Sequence, residues 1–283
     1  MLMKIDYHTH FEYGDYDENW AEGFFDAAKA RGIDEIGITE HTHTFPEFYD
    51  LYRADVTTDD TSIGLFQREW LKKNKFKHSL DDYFRFMEKL KKKHKVKIGL
   101  EVCNFRDQDK VYRILRRYRF DYLIVSVHFL HGWGFDASAL AQHFDEIDPA
   151  ELYAIYADAA VELCRTKMYD VLGHPFNLNL FGHLPQTSVT GDLKRTVEAM
   201  EAADMIVDVN TGSSYRYPVG EIMPGAEFLR LAAAHNLAVI TSSDAHDPAD
   251  CGRAVDEAIA YAKDCGMSRL VTFEGRKKFY HAL

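Results

Sequence analysis

The strongest indication of the fold class is the segment Tyr122-Leu123-Ile124-Val125-Ser126-Val127-His128. Strands of a parallel sheet are buried on both faces and therefore read as nearly unbroken apolar runs. This run is too short for a typical helix, so it predicts a central parallel strand from Tyr122 to Val127. A histidine stands directly where the predicted strand ends, and similar residues recur at the ends of other runs along the chain.

Six further short apolar runs also predict strands, and amphipathic stretches between them predict helices. Leu80, Tyr83 and Met87 share one such helical face, and Asp148-Pro149 and Asp247-Pro248 have the pattern of helix starts. Repeated β-α units without a long linker predict one domain over residues 1–283, an α/β barrel with its functional site at the carboxyl ends of the strands. An open doubly wound sheet is the alternative. The further predicted strands are Lys4–Tyr7, Glu35–Ile38, Lys97–Leu100, Asp170–Leu172, Ile206–Val209 and Ala238–Thr241.

Residues 42–79 interrupt the β-α rhythm and are rich in aromatic and charged side chains. We expect them to form an excursion over one end of the barrel. The lysine-rich run at 72–77 is interpreted as a solvated face, with a substrate-facing lid as the alternative.

Composition excludes several classes of protein. The chain has 283 residues, 46% of them hydrophobic, and a formal net charge of −11, which is typical of a globular protein whose charge repels phosphate backbones. Small substrates are therefore expected, not nucleic acid as the main partner.

The chain lacks an apolar run of the ~18 to 20 residues that cross a bilayer, and Asp6 stands where a signal peptide would be apolar, so we expect a cytoplasmic protein without a membrane partner. The four cysteines are too scattered for a disulfide framework and are expected to be reduced.

Histidine is unusually abundant, with 14 copies. The first predicted strand runs into Asp6-Tyr7-His8-Thr9-His10, and because side chains on a strand alternate, His8 and His10 point the same way and can bind one metal ion. Any one histidine alone is more often structural. Polar groups concentrated at one barrel mouth would be costly without ions, however, so we predict a metal centre there. The later strands end beside Glu40-His41, Glu101, His128, His174, Asn210 and Asp244-Ala245-His246.

These motifs resemble, in order and spacing, those of the polymerase and histidinol phosphatase (PHP) family, and the match spans the chain. The histidinol-phosphatase branch is closer still, through the segments 128–136 and 210–222. The resemblance implies a distorted (β/α)7 barrel holding two or three divalent ions, namely zinc, manganese or iron. The motifs that carry it are Asp6-Tyr7-His8-Thr9-His10, Ile38-Thr39-Glu40-His41, Gly99-Leu100-Glu101, Ser126-Val127-His128-Phe129, Gly173-His174-Pro175-Phe176 and Ser243-Asp244-Ala245-His246.

By this resemblance the metal ligands are His8, His10, Asp15, His41, Glu101, His128, His174, Asp244 and His246. Glu101 would bridge two ions. The family's ligand after the second histidine is missing, because Tyr16 stands at its usual position. Asp15 is our choice for that ligand, with Asp17, Glu12 and His43 as alternatives.

The implied reaction is hydrolysis of a small phosphomonoester, expected to be L-histidinol phosphate, in histidine biosynthesis. Arg216 is predicted to bind the phosphate, since its planar fork matches two phosphate oxygens, although an ion pair with Glu221 is the alternative. Asp244 and His246 are predicted to assist catalysis, and Trp133 to stack on the substrate. A phosphoesterase with another phosphate ester or nucleotide as substrate is the alternative enzyme. A catalytically silent metal-binding barrel is the alternative class. The sequence does not decide the native metal, the proton donor or the oligomeric state.

Overall fold

The computed structural model describes residues 2–73 and 75–283 and has an α/β fold, which confirms the predicted class. Each of the seven predicted strands overlaps an observed strand. The shorter strands β4, β6 and β7 and the C-terminal pair β11 and β12 were not predicted. The strands are β1 Ile5–Thr9, β2 Glu35–Ile38, β3 Val96–Ile98, β4 Glu101–Cys103, β5 Ile124–Ser126, β6 Phe129–Leu130, β7 Trp133–Gly134, β8 Val171–Leu172, β9 Ile206–Asn210, β10 Val239–Ser242, β11 Arg269–Glu274 and β12 Lys277–Ala282.

Two sheets carry the core. One is parallel with the order β1-β2-β3, and the other has the order β12-β11-β10-β9-β8-β5-β4, parallel except for the antiparallel edge strand β12. Among the described residues, the regular ladders do not close into a continuous barrel. The sheets are joined by isolated bridges from Thr9 to Ala245 and from His41 to Glu101. These two bridges bring together the carboxyl ends of β1, β2 and β10 and the start of β4.

Helices follow most of the strands. The predicted start at Asp148 is confirmed, because its carboxylate accepts a hydrogen bond from the Ala150 amide at 2.9 Å. The start predicted at Asp247 is wrong for an α-helix, since only a 3-10 turn over Pro248–Asp250 follows it. The helices are α1 Glu18–Ala30, α2 Tyr49–Asp55, α3 Ser62–Lys72, α4 Leu80–Lys91, α5 Gln108–Leu115, α6 Pro149–Arg165, α7 Thr190–Ala202, α8 Gly212–Arg216, α9 Ala226–Ala234 and α10 Val255–Asp264.

The segment between β2 and α4 contains α2 and α3 and packs against the hairpin formed by β6 and β7. The Gln67 side chain of α3 fixes this contact: its amide nitrogen donates to the carbonyls of Thr57 and Gly132, and its oxygen accepts from the Gly134 amide. Asn74, in the lysine-rich run, lies outside the described residues. The excursion is therefore anchored to the loop that follows β5.

All four cysteines are free, as predicted, and all four are buried. Across the described part of the chain, no helix is both long enough and apolar enough to span a membrane.

Candidate active site

The site lies at the edge where the parallel strands end, and its side chains come from several different strands and the segments that follow them. His8 is in β1, Glu101 opens β4, and His174 follows β8. His8, His10 and Glu101 are almost completely buried. Alternation along β1 turns His8 and His10 to the same side, as predicted, and their ring centroids are 5.1 Å apart.

Glu101 lies at the centre of this cluster. Its Oε1 is close to three histidine nitrogens, and its Oε2 is close to two more. The Ser126 hydroxyl also donates to Oε1 at 2.6 Å. One carboxylate therefore joins histidines from both sheets. The nitrogen to oxygen distances are 3.2 Å for His8, 3.3 Å for His128 and 3.1 Å for His174 at Oε1, and 3.1 Å for His41 and 3.9 Å for His10 at Oε2.

Asp244 forms a second centre beside the first. Its Oδ1 lies 3.2 Å from Nε2 of His10 and 3.6 Å from Nε2 of His246. Its Oδ2 accepts a hydrogen bond from Arg216 at 2.5 Å. Arg216 therefore pairs with Asp244 and not with Glu221, the alternative raised from the sequence.

Glu12 takes the position predicted for Asp15, and this is a correction. The Glu12 carboxylate lies 3.3 Å from His41, 3.7 Å from His43 and 3.6 Å from His246. The Asp15 carboxylate instead contacts His78 at 2.6 Å, and the side chain is 63% exposed.

The local backbone explains this exchange. Glu12 opens a 3-10 turn over Glu12–Gly14, whereas Asp15 and Tyr16 adopt left-handed φ angles of 53° and 59°. That change of chain direction turns the Asp15 carboxylate away from the cluster. Glu12 therefore faces the cluster, whereas Asp15, three residues later, faces away from it.

The donor set fits divalent metal ions. Several ring nitrogens in the cluster are buried and make no well-directed hydrogen bond within the described residues, although carboxylate oxygens lie within 4 Å of some of them. Imidazole and carboxylate are common ligands of zinc and related ions. Buried, unsatisfied nitrogens that converge would be costly without such a partner. Groups with ligand atoms mutually within 4.8 Å are His8/His10/Glu101, Glu101/His128/His174, His10/His41/His246 and Glu12/His41/His43.

The electrostatics of the cluster follow from burial and close opposite charges. Burial raises the pKa of Glu101, but the nearby histidines His8, His128 and His41 together lower it by more than burial raises it. The net pKa of Glu101 therefore lies well below its ordinary value. Burial and the neighbouring His41 lower the pKa of His10 to about 4. Glu101 is therefore ionised and His10 neutral near neutral pH, the forms that bind metals.

Two groups that sequence reasoning missed contact the Nδ1 atoms of cluster histidines whose Nε2 atoms face Glu101. The Asp208 carboxylate in β9 lies 3.0 Å from Nδ1 of His8, and the Cys103 thiol lies 3.2 Å from Nδ1 of His128. A carboxylate between apolar neighbours on a strand was the available signal for Asp208. For Cys103, only its position two residues after Glu101 pointed to the site.

Trp133 is not a substrate-facing residue, which corrects the prediction. It is 5% exposed, and its ring packs edge-on against Phe144 with centroids 4.8 Å apart. Trp70 of α3 faces the site instead.

Two adjoining compartments open at the cluster. A polar one of about 60 Å³ is lined by Glu101, Asp244, Arg216 and Asn210 among others. An aromatic one of about 320 Å³ is lined by residues that include Phe66 and Trp70. A larger cavity of about 830 Å³ elsewhere on the surface is lined by none of the clustered histidines. The two compartments share the residues His41, His128, Asp136, Tyr217 and His246.

Comparisons with known proteins agree with this geometry. The sequence profile of the PHP domain matches residues 6–212. A "Probable histidinol-phosphatase" of Deinococcus radiodurans is 32% identical over 183 residues, which are 64% of this chain and 69% of that protein.

Solved structures show the same fold at lower identity. The histidinol phosphate phosphatase of Lactococcus lactis, complexed with zinc, L-histidinol and phosphate, superposes with a TM-score of 0.69 at 19% identity, over 99% of this chain and 100% of that one. A candidate histidinol phosphatase of Listeria monocytogenes gives a TM-score of 0.71 at 20% identity, over 90% of this chain and 99% of that one.

Proposed function

The chain belongs to the PHP domain family, and from this premise we propose that it is a metal-dependent phosphatase that hydrolyses L-histidinol phosphate to L-histidinol and phosphate. The observation that carries the proposal is the position of Glu101, whose carboxylate joins five histidines while Arg216 lines the same compartment. The relative in Deinococcus radiodurans supports the choice of substrate.

We infer that two or three divalent ions bind here, as zinc, manganese or iron. Zinc is supported by the Lactococcus lactis structure, which contains it. When bound, such ions polarise a phosphate ester and lower the pKa of a coordinated water. One ion would be held by His8, His10, Glu101 and Asp244, the second by Glu101, His128 and His174, and the third by Glu12, His41 and His246.

The chain's own residues then have distinct tasks. Arg216 presents a planar guanidinium to the polar compartment and neutralises charge on the phosphate oxygens. Asp244 orients Arg216 through its Oδ2. Burial and His10 lower the pKa of His246 well below its ordinary value, so its neutral ring suits a ligand better than a proton donor.

We also propose that the two sheets together correspond to the distorted (β/α)7 barrel of the family, formed by one domain over residues 1–283 with the excursion at 42–79. Hydrogen bonds between the sheets support this arrangement. The Thr241 hydroxyl donates to the Ile5 carbonyl at 2.7 Å, and the His10 amide donates to the Ala245 carbonyl at 2.8 Å.

A substrate panel tests the proposal. The purified protein, reconstituted with manganese or with zinc, is assayed on L-histidinol phosphate, nucleotides and 4-nitrophenyl phosphate. We expect the highest kcat/KM with L-histidinol phosphate. Cleavage of that ester no faster than of 4-nitrophenyl phosphate would overturn the substrate assignment.

A further inference from the structure

Resting on the proposed function, the geometry points to Asp136 as the residue that binds the ammonium group of the substrate and thereby selects amino-bearing phosphate monoesters. Asp136 lines both the polar and the aromatic compartment. A group held there would lie between the polar compartment, where the phosphate is proposed to bind, and the aromatic compartment. This residue follows the β6-β7 hairpin, on the loop to which the excursion is anchored.

The charges around the two compartments single out this carboxylate. The other carboxylates that line them are Glu12, Glu101 and Asp244, and each of these lies against cluster histidines. Within residues 2–73 and 75–283, the Asp136 side chain forms no ion pair or hydrogen bond with another side chain. Its carboxyl group is therefore free to contact a cation that enters the pocket.

Lys75 is the other charged side chain that lines the aromatic compartment but lies outside the histidine cluster. Its ammonium nitrogen lies 4.9 Å from the centroid of the Trp70 ring. A cation over an aromatic face is already stabilised there. Lys75 therefore lies at Trp70, close enough to Asp136 to attract it electrostatically but without an ion pair to it within the described residues, and Asp136 lies at the boundary with the polar compartment.

The backbone just before Asp136 is held in place by a hydrogen bond and by a buried side chain. Two residues earlier, the Gly134 amide donates to Gln67 at 2.6 Å, and the Phe135 side chain between them is completely buried. A preformed carboxylate loses little conformational freedom on binding, which favours affinity and selectivity. The anchoring of the excursion by Gln67 therefore also positions Asp136.

The substrate chemistry matches this arrangement. In L-histidinol phosphate, one methylene separates the ammonium-bearing carbon from the ester oxygen, and a second methylene separates it from the imidazole. A phosphate at Arg216 in the polar compartment would place the ammonium at the shared wall near Asp136. The ring would enter the aromatic compartment beside Phe66 and Trp70.

The test compares two substrates on the metal-loaded protein. L-histidinol phosphate is paired with 3-(imidazol-4-yl)propyl phosphate, which lacks only the amino group. In Asp136→Asn, the ratio of kcat/KM between the amino and the des-amino ester should fall by about tenfold or more, the scale of a hydrogen bond to a charged group. Calorimetry should show weaker binding of L-histidinol, by a similar factor, with no matching change for the des-amino alcohol.

Asp145→Asn is the matched control. It makes the same change at a side chain that is 75% exposed, and it should keep the ratio of the parent protein. An unchanged ratio in Asp136→Asn, with both esters affected equally, would overturn the role of Asp136 alone. A parent protein that cleaves neither ester would overturn the proposed function and this inference with it.

Discussion

Asp208 Oδ2 lies 3.0 Å from Nδ1 of His8, while Nε2 on the other side of the same ring faces Glu101 at 3.2 Å. The Asp208 carboxylate also accepts hydrogen bonds from the Ser242 hydroxyl and the His174 amide. A carboxylate at Nδ1 fixes the imidazole tautomer and leaves Nε2 free to act as a ligand. Asp208 thus orients the predicted metal ligand His8 through its Nδ1, on the side of the ring away from Glu101.

Asp208→Asn should weaken metal binding. Removing such a supporting carboxylate is expected to cost about tenfold to hundredfold in metal affinity. Competition with a chromogenic chelator measures this change. Asp204→Asn, at a side chain 80% exposed, is the control and should bind metal like the parent protein. Parental affinity in Asp208→Asn would show that the contact with His8 has no such role.

Arg216→Lys keeps the positive charge but removes the planar fork that matches two phosphate oxygens. We expect kcat/KM for L-histidinol phosphate to fall by about tenfold to hundredfold, because charge-assisted hydrogen bonds to the phosphate are lost. Steady-state kinetics measure the effect, with Arg68→Lys as the control, since Arg68 pairs with the exposed Asp60. An equal loss in both variants would argue against a phosphate contact for Arg216.

Replacing Trp133 should mainly lower the stability of the protein, whereas replacing Trp70 should mainly raise KM. Trp133→Ala removes a buried ring from the core and should lower the free energy of unfolding by about 3 to 5 kcal/mol. Trp70→Ala removes part of the aromatic compartment and should mainly raise KM. Denaturant unfolding and steady-state kinetics separate the two effects. A raised KM with parental stability in Trp133→Ala would restore the sequence-based interpretation of that residue.

Metal binding should release protons near neutral pH. Burial is the largest single influence on His8 and His128 and lowers the pKa of both. Glu101 raises it, and Asp244 and Asp208 at His8 and Cys103 at His128 add to that rise, so both net pKa values lie well above the ordinary one. In the metal-free protein these rings are therefore protonated at neutral pH and must lose a proton to bind an ion. The release should vanish as the pH rises through the raised pKa values. Calorimetric metal titrations in buffers of different ionisation enthalpy measure it, and a binding enthalpy that does not depend on the buffer would contradict it.

The strand-end residues were predictable from the sequence because strand geometry is local. Alternation fixes the relative direction of His8 and His10, and the carboxyl ends of parallel strands meet at one edge. His41, His128 and His174 lie in the cluster for that reason. A periodic pattern is sufficient to predict such a convergence.

The remaining parts depended on contacts that no local pattern encodes. Whether Glu12 or Asp15 faces the cluster depends on two left-handed residues after the 3-10 turn. Trp133 stands in an aromatic stretch beside the site, but the direction of its ring is set by packing against Phe144. The pairing of β11 with β12 adds an edge to the sheet through a C-terminal stretch that was not assigned to a strand.

The Glu101 carboxylate is proposed to join two metal sites, and the variant Glu101→Gln tests this bridging role. The change keeps the size of the side chain and removes its charge. We predict that the variant retains the circular dichroism of the parent, loses at least one bound ion per chain by elemental analysis, and loses phosphatase turnover by about a hundredfold or more. Glu146→Gln, at an exposed side chain, should match the parent in all three measurements. Full metal content with near-parental turnover in a folded Glu101→Gln protein would contradict a bridging role for Glu101.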